Sequence, residues 1–338
     1  MGGVADLRHL LHLGSTLGAL ARVHVLRTGV RVGLFEALRT PQEAGALAGR
    51  LGLAPDLVES WLRAAHAQRI LEREGETYRL GAFARWLIDA PEAPALHAML
   101  EQATALYHPR LEDLPRLLKG GERPLFGSPE ESERTAAASR VIEGRALDAL
   151  ARVPGARRAQ RVLDVGCGHG SMLAGFLSRH RDAHGLGIES DPEVAEEARR
   201  RLREAEVSRR GEVRVGDFMK IELPPGSFDL AMLNNAVYYF PPAERPALWR
   251  RIRSRLAPSG VLAIQSPFHV ESRTARRLGL GAQSAVFDLL LRAHRNLYGL
   301  PELETLHAEL LDAGFAETGE VSVIPGGGQR YVWARGSA

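Results

Sequence analysis

The sequence predicts an α/β fold: a doubly wound, largely parallel sheet covered by helices and closed by a terminal antiparallel hairpin, preceded by a mostly α winged-helix domain. Three observations predict it. From residue 161 onward short apolar runs alternate with helical patterns, whereas before residue 92 helical patterns follow one another and end in a short hairpin pattern. The chain is also, at 338 residues, longer than one hydrophobic core usually encloses. The expected organisation is an N-terminal dimerisation domain over 1–92, linking helices that contribute to a substrate pocket over 93–157, and a catalytic domain over 158–338. The seams lie at Pro91-Glu92-Ala93-Pro94 and at Val153-Pro154-Gly155-Ala156, where proline and glycine interrupt the periodicity.

In the first domain residues 17–39 have helical periodicity, and Val30-Arg31-Val32-Gly33-Leu34-Phe35 is expected to pack inside. Thr40-Pro41 reads as a cap with proline at the first helical position, opening a helix over Gln42 to Leu51. Gly52 stops it and Ala54-Pro55 starts another helix to about Gln68. Ile70 to Leu80 then alternates as a hairpin around Glu74-Gly75-Glu76. Helix, turn, helix and wing suggest DNA binding, but the would-be recognition helix carries Asp56 and Glu59 in its first turns, where phosphates would approach. Packing and dimerisation fit these residues better.

The second half reads as strand 161–166, helix to His180, strand 185–189, a helix from Pro192, and strand 213–217. It continues as strand 228–233, a helix over about 243–256, and strand 260–265. A capped helix over 301–313 precedes strands 319–323 and 330–334 around Gly326-Gly327-Gly328, a terminal antiparallel pair.

Composition narrows the function classes. The net charge of +3 is small, and Arg199, Arg200, Arg201 and Arg203 are interleaved with Glu196, Glu197, Glu204 and Glu206, the pattern of a solvated helix rather than a phosphate-binding stripe. No nucleic-acid partner is expected. Cys167 is the only cysteine, which excludes an internal disulfide and suits a reducing compartment. Neither a secretory signal nor a membrane span is visible, so a cytoplasmic location is expected. No set of His, Cys or acidic residues has metal-ligand spacing.

The chemistry concentrates in one stretch. Arg161-Val162-Leu163-Asp164-Val165 feeds Gly166-Cys167-Gly168-His169-Gly170, followed by a helix. Glycines let the chain turn tightly and let a ligand lie on the backbone, while the helix start offers unpaired amides. Glu189 ends the next strand, where a carboxylate accepts hydrogen bonds from ribose hydroxyls. Loop and acid together define an adenosine-type site. A dinucleotide fingerprint, GxGxxG, would need glycine at 171, which is Ser171; the match is GxGxG. Asp164 would repel a pyrophosphate but favours an ammonium or sulfonium, so S-adenosylmethionine fits better than a nicotinamide cofactor.

Val162 to Gly170 resembles the first motif of the class I S-adenosylmethionine-dependent methyltransferases, Gly187-Ile188-Glu189-Ser190-Asp191 their second, and Gly216-Asp217-Phe218 their third. The resemblance implies a Rossmann-like sheet and S-adenosyl-L-methionine as methyl donor, leaving S-adenosyl-L-homocysteine. The loop backbone at Gly166 and Gly168 would then face the methionine part, Glu189 would hold the ribose, and Asp217 with Phe218 would flank the adenine, with Asp164, Gly170, Ser190 and Asn234 also at the cofactor. A winged-helix domain ahead of the catalytic domain is similar to the homodimeric small-molecule O-methyltransferases of secondary metabolism. The catalytic histidine of that family, in a His-Asp-Trp context after the fourth strand, is replaced here by Asn234-Asn235-Ala236-Val237-Tyr238-Tyr239-Phe240.

Methyl transfer is an in-line displacement, so the protein chiefly positions the nucleophile, excludes water and removes a proton where needed. Candidate bases are Tyr238, nearest to the missing histidine, His269 past the fifth strand, and His294 in the apolar segment before Tyr298. Packing explains each equally simply. Tyr239, Phe268, Phe287 and Tyr298, with Leu289, Leu290, Leu291 and Leu300, form an expected apolar lid, which Tyr107, His108 and Phe126 close from the linking helices. The expected acceptor is a small, largely apolar, aromatic or enolic molecule methylated at oxygen. Nitrogen or carbon acceptors, a non-methylating reaction at the same pocket, and a regulator that only senses a ligand remain open alternatives.

Overall fold

A computed structural model describes residues 3–270 and 280–337 of the chain. Two compact units result: Met1–Glu112 with Pro129–Val141, and Asp113–Ser128 with Ile142–Ala338. The stretch 93–157, expected as one linking segment, is therefore divided between the two.

The first unit contains α1 (Gly3–Arg31), α2 (Leu34–Ala37), β1 (Gln42–Glu43), α3 (Ala44–Leu51), α4 (Pro55–Ala67), β2 (Leu71–Glu74), β3 (Thr77–Leu80), α5 (Ala82–Asp89) and α6 (Ala93–Gln102). A π-helical turn over Ala103–Tyr107 and α7 (His108–Glu112) follow; α8 (Leu114–Leu118) belongs to the second unit, and α9 (Pro129–Ser139) returns to the first. Phe35, Leu38, Leu47, Leu62 and Ile70 are at most 1% exposed and form its core. Gly29 is needed there: a Cβ at that position would lie 2.6 Å from the Phe35 ring.

Two expectations are corrected in this unit. The periodic stretch 17–39 is not one helix, because α1 ends at Arg31 and Gly33, at φ 75°, turns the chain into α2. Leu34 and Phe35 are buried, whereas Val32 faces out at 39% exposure. Thr40-Pro41 does not open a helix either. Gln42 and Glu43 pair antiparallel with Tyr78 and Thr77, making a three-stranded sheet in the order β1-β3-β2, and the helix starts only at Ala44. Helix α4 and the β2–β3 hairpin follow the expected pattern. On α4 Arg63 pairs with Glu59 one turn away, and His66 Nδ1 lies 3.1 Å from the carbonyl of Leu71, so both basic groups of this helix already have partners.

The second unit holds α10 (Glu143–Leu150), β4 (Arg161–Val165), α11 (Ser171–Arg179), β5 (His184–Glu189), α12 (Pro192–Glu204), β6 (Gly211–Val215), β7 (Phe228–Asn234) and α13 (Arg245–Arg255). It ends with β8 (Leu256–Pro267), α14 (Leu280–Arg292), α15 (Leu303–Asp312), β9 (Glu317–Ser322) and β10 (Gln329–Arg335). The sheet runs β6-β5-β4-β7-β8-β10-β9. The first five strands pair in parallel, and β10 enters antiparallel to β8 and β9, as the terminal pattern predicts.

Strand pleat divides the core between the faces. Leu163, Val165, Ala231, Leu233, Leu262 and Ile264 pack toward Leu248, Trp249 and Ile252 of α13 and Leu306 and Leu310 of α15. Their neighbours Val162, Leu230, Met232, Val261 and Ala263 pack on the other side, toward Leu147, Leu173, Phe176 and Ala198. Burial on both faces explains why these strands read as nearly continuous apolar runs. No helix among the described residues is long and apolar enough to cross a membrane.

Candidate functional site

Strand order reverses between β4 and β7, and a crevice at such a point, beyond the carboxyl ends of the strands, is where open sheets hold ligands. The β4–α11 loop lies there. Gly166, Gly168 and Gly170 all have positive φ, 64°, 54° and 74°. Their surroundings differ. A Cβ on Gly170 would stand 3.0 Å from Ala198 Cβ, so this glycine lets α11 and α12 approach. One on Gly166 would meet Ala236 at 3.6 Å, and one on Gly168 would meet no described atom within 4 Å. The backbone at Gly168 is thus the open part of the cradle.

Glu189 closes the far side. Its Oε2 accepts from the Gly168 amide at 3.0 Å, while Oε1 accepts from the amides of Ser190 at 2.8 Å and Asp191 at 3.1 Å and from Ser190 Oγ at 3.3 Å. The carboxylate therefore fastens the loop to the start of α12, whose first turn Asp191 caps through Glu193 N and Val194 N. Cys167 packs its sulfur where a Cβ on Gly187 would stand, 2.7 Å away, and burial pushes its thiol up, away from a thiolate.

Asp164 is 1% exposed. Its Oδ1 accepts from Asn234 Nδ2 at 3.2 Å, and Asn234 Oδ1 accepts from the Tyr331 hydroxyl at 3.2 Å. Oδ2 has no hydrogen-bond partner among the described residues. Burial pushes this carboxyl up to about 7, against the pull of the Asn234 hydrogen bond and reinforced by the charge of Glu189.

Asp217 caps its own turn, accepting from Met219 N at 2.8 Å, and meets Lys220 Nζ at 3.3 Å. Phe218 is 5% exposed with Arg251 over its ring, 5.4 Å from the centroid.

Beyond Asn234 the chain turns at Asn235, Ala236 lies against the Gly166 loop, and a short helical turn over Val237–Tyr239 follows. Aromatic rings collect here. Tyr238 meets Tyr239 at 5.4 Å and the edge of Phe287 at 5.8 Å; Phe126 meets Tyr239 at 6.3 Å and His294 at 5.5 Å. Asn296 holds the Phe126 segment by accepting from Phe126 N and donating to Phe126 O, both at 2.8 Å. The Tyr298 amide donates to Tyr238 O at 2.9 Å. His294 is 5% exposed, with Nδ1 2.8 Å from the Leu290 carbonyl, which makes Nδ1 the protonated nitrogen.

The structure thus brings Tyr238, Tyr239, Phe287, Tyr298 and His294 together. His269 stands beside Asp288, with Nε2 4.0 Å from Oδ2. Phe268, 1% exposed, is a core side chain whose amide donates to Gly328 O. Tyr107 and His108 lie in the first unit, where burial pushes the Tyr107 phenol up to about 12 and the His108 ring meets that of His24 at 6.0 Å.

Two residues escaped the sequence reading. Asn235 adopts φ 50° and leaves a buried side-chain Oδ1 without a hydrogen-bond partner among the described residues. Asn-Asn at a strand end is a usable signal, since asparagine tolerates this conformation better than most residues. Tyr331 carries no local signal; only sheet pairing puts its hydroxyl on Asn234. Among the described residues no cluster of three His, Cys or acidic side chains is arranged to hold a metal.

Comparison with known proteins agrees with this geometry. Residues 162–260 match the family described as Methyltransferase domain. Demethylspheroidene O-methyltransferase of Cereibacter sphaeroides is 30% identical over 302 residues, 85% of this chain and 75% of that protein. N,N-dimethyltransferase OxyT of Streptomyces rimosus is 24% identical over 331 residues, covering 92% and 91%. Some matches are partial: the chain spans about half the length, 54%, of the trans-aconitate 2-methyltransferase of Methylobacterium nodulans, at 35% identity. Among solved structures, human N-acetylserotonin methyltransferase in complex with SAM superposes with a TM-score of 0.78 at 18% identity, all of each chain being covered.

Proposed function

The chain belongs to the class I S-adenosylmethionine-dependent methyltransferases, in the O-methyltransferase family, and from that premise we propose that it methylates a small, flat, largely apolar acceptor at an acidic oxygen. The observation that carries the acceptor class is the ring cluster of Tyr238, Tyr239, Phe287, Phe126 and His294, reached from the Gly166 loop within one turn of chain.

The residues present fit the methyl donor. Asp164 Oδ2 is a buried carboxyl oxygen without a hydrogen-bond partner among the described residues, suited to an ammonium, and Gly168 is an open stretch of backbone beside Glu189. Glu189 accepts four hydrogen bonds through two oxygens and keeps capacity on Oε2 for a ribose hydroxyl. Phe218 and Asp217 stand at the end of the next strand, on the adenine side.

When bound, S-adenosylmethionine supplies an electrophilic methyl on a sulfonium. The chain's own residues then align the acceptor oxygen, exclude water with the aromatic cluster, and take up the acceptor proton. Tyr238, on the turn that leaves the loop, is the group proposed to contact that oxygen, with His269 beside Asp288 as the second proton acceptor. An acidic phenol or enol asks little of either, which accounts for an active fold without the family histidine.

The test is transfer of labelled methyl from S-adenosylmethionine to a panel of phenols, enols, arylamines and aliphatic alcohols. Label on phenols or enols supports the proposal. Label only on amines moves the assignment to nitrogen, the acceptor type in the name of OxyT, and no label on any acceptor overturns methylation. Tyr238→Phe is expected to lower kcat by about tenfold, less than a required general base would contribute, while leaving the affinity for S-adenosylhomocysteine within about twofold of wild type; a fully active variant removes Tyr238 from the reaction.

We also propose that the first unit mediates homodimerisation. On α1 Leu7, Leu10, Leu11, Leu13, Leu17 and Leu20 are each at least 50% exposed, more apolar surface on one helix than a monomer normally shows.

A further inference from the structure

We propose that Tyr331 is a positioning residue which, by orienting the Asn234 amide, favours the ionised form of Asp164 for the cationic end of the cofactor. This rests on the reading above, in which Asp164 faces the ammonium group of S-adenosylmethionine.

Tyr331 lies on β10, antiparallel to β8, and is fully buried. Burial and the charge of Asp164 push its phenol far up, so it stays a neutral O–H donor. An asparagine amide offers an oxygen on one side and an NH₂ on the other, and the two faces exchange when the group flips. Tyr331 donates to Oδ1 at 3.2 Å, and this places Nδ2 toward Asp164 Oδ1, 3.2 Å away. An N–H facing a carboxylate favours the ionised form. The flipped amide would put its oxygen there instead, an arrangement compatible only with a protonated Asp164.

Without the Tyr331 hydroxyl only the charge of Asp164 itself selects the first orientation, and that selection is lost once Asp164 is protonated. Asp164 then gains a hydrogen-bond acceptor for its proton, and its acid form is stabilised. Cation binding has to displace that proton, so affinity falls at low pH. The other titratable groups facing Asp164 are Glu189 from β5 and Cys167 from the loop, both present unchanged in a Tyr331 variant.

Isothermal titration with S-adenosylhomocysteine, from about pH 5.5 to 8.5, separates this role from a structural one. For Tyr331→Phe the ratio of Kd to wild type is expected to be near one at the alkaline end and to rise toward acid. It should reach about tenfold for each pH unit by which the Asp164 midpoint moves up. Ionisation of the ligand's own amine is common to both proteins and cancels in the ratio. A ratio flat with pH, whether one or larger, overturns the proposal. Asn234→Ala should show the same pH-dependent loss, and adding Tyr331→Phe to it should change nothing further; if Tyr331→Phe does not fold, a flat loss in Asn234→Ala overturns the proposal by itself. Wild-type protein that binds no S-adenosylhomocysteine at any pH refutes the cofactor reading instead.

Discussion

Glu189 does two things with one carboxylate. It accepts from Gly168, Ser190 and Asp191, fastening the glycine loop to α12, and in the proposed function it also accepts from a ribose. Glu189→Ala is therefore expected to lose more affinity for S-adenosylhomocysteine than ribose bonds alone explain, at least 10²-fold. Hydrogen bonds to a charged group contribute roughly 1.5–3 kcal/mol each. Titration calorimetry checks the affinity and thermal unfolding the loop. An unchanged Kd would show that Glu189 serves the loop only. Asp164 makes the opposite kind of contribution. Its carboxyl is raised to about 7, so the folded chain holds a proton that the unfolded chain has released, and stability declines as pH climbs from about 4 to 7. Above that the cost is constant and of order 4 kcal/mol. Asp164→Asn should raise the Tm of ligand-free protein more at pH about 8 than at about 5, where the folded carboxyl still keeps its proton and most of the cost has yet to appear, while weakening cofactor binding. An equal gain at both pH values would contradict it.

At the scale of elements, glycines decide how closely the loop and its helices approach. Gly170 is a stricter requirement than Gly168, because it combines φ 74° with Ala198 Cβ 3.0 Å from where a side chain would begin. Gly170→Ala is expected to cost about 2–3 kcal/mol in chemical denaturation, from the left-handed backbone together with overpacking. A loss below about 0.5 kcal/mol would mean that α12 yields freely. The N-terminal corrections share one cause. Thr40-Pro41 has the local chemistry of a helix start, yet Gln42 and Glu43 gain strand partners far along the chain, in Tyr78 and Thr77. Long-range pairing overrides a local signal whenever it satisfies the same amides. Helix α12 shows the reverse case: it starts at Pro192 as expected, because its cap Asp191 accepts from the next amides in the chain.

For the whole molecule, the exposed leucines of α1 predict association. Sedimentation is expected to give twice the 36.9 kDa chain mass, and replacing Leu10, Leu13 and Leu17 with Glu should return the monomer. A wild-type monomer at micromolar concentration refutes the dimer. The α/β architecture and the cofactor loop were legible in the sequence because their determinants are local: an apolar strand, glycines at positions needing positive φ, and an acid at the end of the next strand. Asp164, Gly166, Gly168, Gly170 and Glu189 all lie within one β–α–β stretch. What joins Asp164 to Asn234 and Tyr331, or Phe126 to Asn296, lies 70 to 170 residues away along the chain. Those contacts depend on strand order and register, which no local pattern encodes. The sequence by itself determined the fold and the loop that holds the methyl donor. Only the tertiary structure decided which distant side chains reach Asp164 and which rings gather beyond Asn234, because their proximity is a property of the packed sheet.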